Sequence, residues 1–250
     1  MYFVLFFVIG LLVGSFLNVL IFRFPNYPGL ISGRSKCRHC QKTIPWFDLI
    51  PVLSFLILGG RCRNCRQKLS LQYPLVEIAC GGLFVLFYYY FGLSAFSILL
   101  MAVAAMSIVI FTFDIKSLEI PEVFAWLLLI FAIVAAFLAP NFSLANFLLG
   151  GLAGGGILGI LVGISDERWM GAGDIKIGLA FGFLLGLYGS LLFLMLAFVI
   201  GAVVGVILIT CKNKKMSSQL AFSPFLIIAG IIAIIWGERI VNWYLKFAIM

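Results

Sequence analysis

Two aspartates stand out among the residues able to do chemistry. Asp114 follows Phe111-Thr112-Phe113 at the end of one apolar run, and Asp174 opens another behind Gly171-Ala172-Gly173. Each begins the same tripeptide, Asp-Ile-Lys, at 114–116 and at 174–176. A charged group at membrane depth costs roughly 2.5–3.5 kcal/mol on insertion scales, so an acid in such a place points to function. Two carboxylates that share a site do not both ionise readily. One can then act as a base on water while the other donates a proton to a scissile carbonyl. This is aspartyl protease chemistry, and it calls for no metal. Helix capping, or an ion pair with a nearby lysine, is the alternative for each Asp taken alone. Gly171 and Gly173, lacking a Cβ, would let Asp174 approach a partner and a substrate backbone, and Lys176 completes the motif.

The rest of the inventory narrows the chemistry. The chain has one histidine, His39. An H-E-x-x-H zinc protease needs two, and a Ser–His protease needs one within the membrane domain. Cys37-Arg-His-Cys40 and Cys62-Arg-Asn-Cys65 form two C-x-x-C turns with 21 residues between them. Four thiolates from two such turns suit a closed tetrahedral zinc site that is structural, not catalytic. Redox dithiols or disulfides are the alternative, and a reducing cytoplasm disfavours the latter. Cys80 and Cys211 read as apolar fillers. Glu119, Glu122, Asp166 and Glu167 read as solvated loop charges. Glu77 lies one turn into an apolar run, and Asn18 in the first run can bond across to another helix.

The elements that must position these groups are membrane helices. The 250 residues are 64% hydrophobic and 10% charged, with a mean hydropathy of +1.21, far from a soluble domain. Apolar runs predict an all-α polytopic membrane protein of about eight helices, at 2–22, 73–91, 94–113, 121–139, 144–164, 175–187, 189–210 and 221–241. The sixth is short, being interrupted at Gly186, Tyr188 and Gly189. Nine of the seventeen Lys and Arg fall between Arg23 and Lys68, and Lys212, Lys214 and Lys215 sit in a short connection. The net charge of +8 therefore reads as positive-inside bias and not as a nucleic-acid footprint. With 23–72 in the cytoplasm, alternation puts 114–120, 165–174 and 211–220 on the same side, together with both aspartates. Only Arg239 and Lys246 fall outside, and the N-terminus is external. Residues 1–22 are read as a retained first helix, 23–72 as a small cytoplasmic zinc-binding loop domain, and 73–250 as the membrane protease domain.

Three blocks carry a resemblance to a known family. They are Gly14-Ser15-Phe16-Leu17-Asn18-Val19 running to Arg23 and Pro25, the segment Cys37 to Glu77, and the Asp pair. The second block includes Ile44-Pro45-Trp46-Phe47-Asp48 and Tyr73-Pro74-Leu75-Val76-Glu77. The third includes Ile120-Pro121 and Gly171-Ala172-Gly173-Asp174. Together they resemble the bacterial type IV prepilin peptidases, which are leader peptidase/N-methyltransferases of the G-x-G-D aspartyl protease type. The resemblance implies cleavage of basic leader peptides from type IV prepilins and pseudopilins at the inner face of the cytoplasmic membrane. It also implies methylation of the new N-terminus with S-adenosylmethionine. It maps the protease pair to Asp114 and Asp174 and the zinc ligands to Cys37, Cys40, Cys62 and Cys65. Glu122 stands where an Asp often follows Ile-Pro in that family. No glycine-rich donor-binding motif is present, and Glu77 and Asp48 are the candidates for the methyl-transfer site. The other readings are a protease alone with the zinc loop as scaffold, and a zinc-binding membrane transporter or adaptor.

Overall fold

The computed structural model describes residues 2–24, 33, 35–212 and 221–248; Pro25, Lys214 and Lys215 lie outside them. Among the described residues there is no β-strand, only two isolated bridges. Contacts gather the chain into two units, Met1–Leu93 and Ser94–Met250. The helix that follows residue 72 packs on the first helix, within the first unit.

The first unit holds α1 (Tyr2–Arg23), a short α2 (Leu53–Ile57) and α3 (Gln72–Phe91). Lipid tails are as apolar as leucine, so packing between membrane helices depends on small residues that let backbones close in. On α1, a Cβ at Gly10 would stand 2.6 Å from Gly81 Cα, and one at Gly14 would stand 2.7 Å from Glu77 Cα. Asn18 does bond across, as its type suggested. Its amide donates to the Tyr73 carbonyl at 3.1 Å and accepts from Gln72 at 3.2 Å.

The second unit runs α4 (Ala95–Ser117), α5 (Glu122–Phe137), α6 (Leu144–Gly151), α7 (Ile157–Ser165), α8 (Ala172–Lys212) and α9 (Ser223–Ala248). A π-helical turn, Leu152–Gly156, joins α6 to α7, so Leu144–Ser165 forms one apolar run of 22 residues. The apolar run Ala172–Thr210 in α8 is 39 residues long. At 1.5 Å per residue that is about 58 Å, nearly twice the hydrocarbon core, so it must cross twice. Gly186 provides the break at φ +68 and ψ −176, a conformation that suits glycine. The expected eight runs are therefore present, with the sixth and seventh fused into one broken helix.

A broken helix inside a membrane must satisfy its freed backbone groups within the protein. Asn146 on α6 does this from the side, its Oδ1 accepting the Leu187 N–H at 2.9 Å. The Ser190 hydroxyl lies 2.6 Å from the Gly186 carbonyl and 3.1 Å from that of Gly150. A glycine seam brings α6 this close, since a Cβ at Gly150 or Gly154 would stand 2.3 Å from the carbonyl oxygen of Gly182 or Gly178.

Candidate functional site

Asp114 lies inside α4, because the helix continues past 113 to Ser117. It ends where Leu118 turns left-handed (φ +55) and its N–H bonds to the Asp114 carbonyl at 3.0 Å. Pro121 then starts α5. Asp174 sits in the first turn of α8, its N–H bonded to the Gly171 carbonyl at 3.0 Å. A helix N-terminus carries positive potential and suits a carboxylate. Both acids are buried, at 6% and 4% exposure, and they lie near one another.

The two carboxylates have different surroundings. Asp114 Oδ2 accepts from the Ser223 N–H at 3.1 Å and from the Ser223 hydroxyl at 2.5 Å. Ser223 is fully buried at the start of α9, followed by Pro224. Asp174 Oδ1 is buried and has no hydrogen-bond partner among the described residues. One acid is thus held by a third helix, while the other has a buried oxygen without a hydrogen bond. The Ser-Pro pair reads in sequence as a helix start. Nothing in the sequence says that its first residue faces Asp114.

The two glycines before Asp174 have separate uses. A Cβ on Gly173 would stand 2.8 Å from Ile120 Cδ1 and 3.0 Å from Ile120 Cβ, so glycine lets α8 close onto the Ile120-Pro121 corner. A Cβ on Gly171 would meet nothing nearer than 4.0 Å. Lys176 pairs with Glu122 and lies 5.0 Å from the Trp126 ring, tying the start of α8 to α5. It does not bond to the aspartates.

In the first unit the four thiols of Cys37, Cys40, Cys62 and Cys65 lie within 4.8 Å of one another, and the Cys37 and Cys65 sulfurs are 3.8 Å apart. A zinc tetrahedron with bonds of about 2.3 Å has sulfur–sulfur edges near that spacing, so the set fits the metal. The two turns are copies offset by 25 residues. Cys37 N–H bonds to Lys42 O, and Gln41 N–H to Cys37 O; Cys62 N–H bonds to Gln67 O, and Arg66 N–H to Cys62 O. The isolated bridges Lys36–Thr43 and Arg61–Lys68 follow the same offset. This internal repeat is a structural finding, although the shared Cys-Arg-x-Cys is its trace in the sequence. The amides of Cys65 and Asn64 hold the Cys62 thiol down to about 7. The Gln67 amide pulls on Cys65, but burial and the neighbouring thiols push it up to about 11. Thiols this crowded do not all ionise without a cation, and metal binding would release their protons.

Asp48 and Glu77 are both engaged. Arg63, inside the second knuckle, donates to Asp48 through Nε at 2.8 Å and Nη2 at 2.6 Å. The Arg63 hydrogen bond holds the Asp48 carboxyl below the ordinary carboxylate range. Glu77 is buried at 6% exposure and accepts the Val52 N–H at 2.8 Å. Val52 has φ +60, a strained conformation for a β-branched residue.

Comparison with known proteins agrees with this architecture. The profile of the bacterial peptidase A24 N-terminal domain matches residues 8–91, and that of the type IV leader peptidase family matches residues 101–206. The chain is 32% identical to a prepilin leader peptidase/N-methyltransferase of Stutzerimonas stutzeri, covering 96% of this chain and 93% of that protein. This chain belongs to the type IV leader peptidase family. Relatives of the same name from Aeromonas hydrophila (32% identity, 98% and 94% covered) and Bacillus subtilis (30%, 97% and 98%) span it equally fully. No solved structure matches. The chain is a multi-pass membrane enzyme of a protease family.

Two outcomes follow from the geometry around the acids. Gly173→Ala should lose most peptidase activity and regain part of it when combined with Ile120→Ala, whereas Gly171→Ala should stay near wild type in a cleavage assay. Ser223→Ala removes one of the two hydrogen bonds that Asp114 Oδ2 accepts, a change of about 1.5 kcal/mol that corresponds to ~10-fold in rate. That loss should appear in kcat with KM little changed, alongside a thermal midpoint lower by a few degrees.

Proposed function

We propose that this chain removes basic leader peptides from type IV prepilins and pseudopilins with Asp114 and Asp174, and methylates the new N-terminus. The observation that carries the protease half is the buried carboxylate pair at the ends of α4 and α8, with Asp174 Oδ1 unbonded. The two Ser223 donors hold Asp114 Oδ2 in place, and in this mechanism Asp114 takes a proton from water. Asp174 then holds the shared proton and gives it to the carbonyl oxygen as water adds to the scissile carbon. When the C–N bond breaks, the proton held by Asp114 goes to the departing amine, and a hydroxyl of the diol returns its proton to Asp174 as the carbonyl re-forms. The pair lies in helix ends that alternation assigns to the cytoplasmic face, where the basic leader of an apolar substrate helix would reach it. On this reading the N-terminus is outside and the chain lies in the bacterial cytoplasmic membrane.

The methyl-transfer half is supported by the relatives' names and is assigned to the zinc-binding loop at 23–72. S-adenosylmethionine would supply the methyl group. The carboxylates of Asp48 and Glu77 are already engaged by Arg63 and Val52, so both would act on methyl transfer by holding the loop in shape. Zinc on Cys37, Cys40, Cys62 and Cys65 would hold the two knuckles together.

Asp114→Asn and Asp174→Asn should each lower leader removal by more than ~100-fold while leaving expression and membrane insertion unchanged. Full cleavage by either variant would remove the dyad from the mechanism. Cys37→Ser or Cys62→Ser should cost the purified protein its zinc, measured by metal analysis. Mass spectrometry of the mature pilin should then show a product lighter by one methylene. A wild-type product that is never methylated would leave the protease alone, with the loop as scaffold.

A further inference from the structure

Between the two knuckles lies a segment whose exposed apolar side chains neither proposed activity uses. Residues 46–58, Trp-Phe-Asp-Leu-Ile-Pro-Val-Leu-Ser-Phe-Leu-Ile-Leu, carry one charge, Asp48, and it is paired with Arg63. The run is too short to span a bilayer and has the length typical of a buried core helix or an interfacial segment. It is not core, because Trp46 is 78% exposed, Leu56 66% and Ile57 79%. These values match those on the outward faces of the spanning helices, such as Ile164 at 71%.

One bond fixes its place. The Val52 N–H is held by Glu77, five residues inside α3. At 1.5 Å per residue that is about 7 Å along α3 from its first residue, so Val52 is moored at the N-terminal end of a spanning helix. The backbone is already adapted to such a place. Besides Val52, the amides of Leu53, Ser54, Leu56, Leu58, Gly59, Gly60 and Arg61 donate to carbonyls within the segment, and the Ser54 hydroxyl donates to Ile50 O. Internal satisfaction of this kind is what apolar surroundings demand and water does not. Residues 23–72, the loop that carries the segment, hold nine Lys and Arg against the single Asp48, while Glu77 meets the segment at Val52. An exposed tryptophan, an apolar tip and a basic surround together fit the headgroup–acyl boundary of an anionic leaflet.

We propose that Trp46–Leu58 is an interfacial wedge that dips into an anionic lipid leaflet and seats the knuckle pair on the membrane surface. The occupant of this apolar face is lipid, and not a second copy of the chain or a substrate helix. Full-length protein in mixed phosphatidylcholine–phosphatidylglycerol vesicles tests this, with the Trp46 signal taken as the difference between wild type and Trp46→Phe. The proposal expects that signal to be quenched by lipids brominated near the carbonyl end of the chain, and little affected by aqueous iodide. Ile57→Asp should reverse both responses while the zinc content stays the same. Quenching of wild-type Trp46 by iodide and not by brominated lipid would overturn the wedge. Protection from both quenchers would also overturn it, in favour of a protein partner.

Discussion

Close backbone approach is the constraint on which the rest of this protein depends. In lipid there is little hydrophobic drive between helices, so contact relies on dispersion and on polar groups that meet at short range. The glycines of α6 and α8 bring two backbones to a separation that a methyl group would prevent. That seam lets Asn146 reach the break at Gly186, and the break lets one continuous stretch of chain cross twice. The short first half of α8 then presents Asp174 at its start, with Gly173 pressed on Ile120. In the first unit, Gly10 and Gly14 do the same for α1 and α3, and Glu77 can therefore be buried where it holds Val52.

Polar groups at membrane depth are individually costly, and most of those described here have a partner. Asn18 is tied to Gln72 and Tyr73, Ser190 lies at the kink carbonyl, and Asp114 is held by Ser223. The buried Oδ1 of Asp174 breaks this rule on an ionisable group, and it does so at the acid opposite Asp114. Local inconsistency of this kind is expected where a fold keeps a group in reserve for chemistry. The zinc loop follows the opposite principle. Its core is too small to hold itself by burial, and its order comes from two copied knuckles, one bidentate ion pair and a tether to α3.

Much of this was legible in the residues alone. Hydropathy marks the spanning runs because a helix is the only single segment that satisfies its own backbone in lipid. Two C-x-x-C turns mark a metal site because the ligand spacing is local. Aspartates at the ends of apolar runs mark themselves by their cost. What the sequence did not show depends on contacts between segments distant along the chain. Ser223 looks like an ordinary helix start until α9 is laid beside α4, 109 residues away in sequence. Asp48 and Glu77 look like unclaimed acids until Arg63 and the Val52 amide are found on them. Composition and spacing by themselves marked a polytopic membrane protein with a tetra-cysteine loop and two acids at helix ends, since burial cost and ligand geometry are properties of residue types. Only tertiary structure decided which oxygen is held and which is free, because hydrogen-bond partners are set by where helices cross.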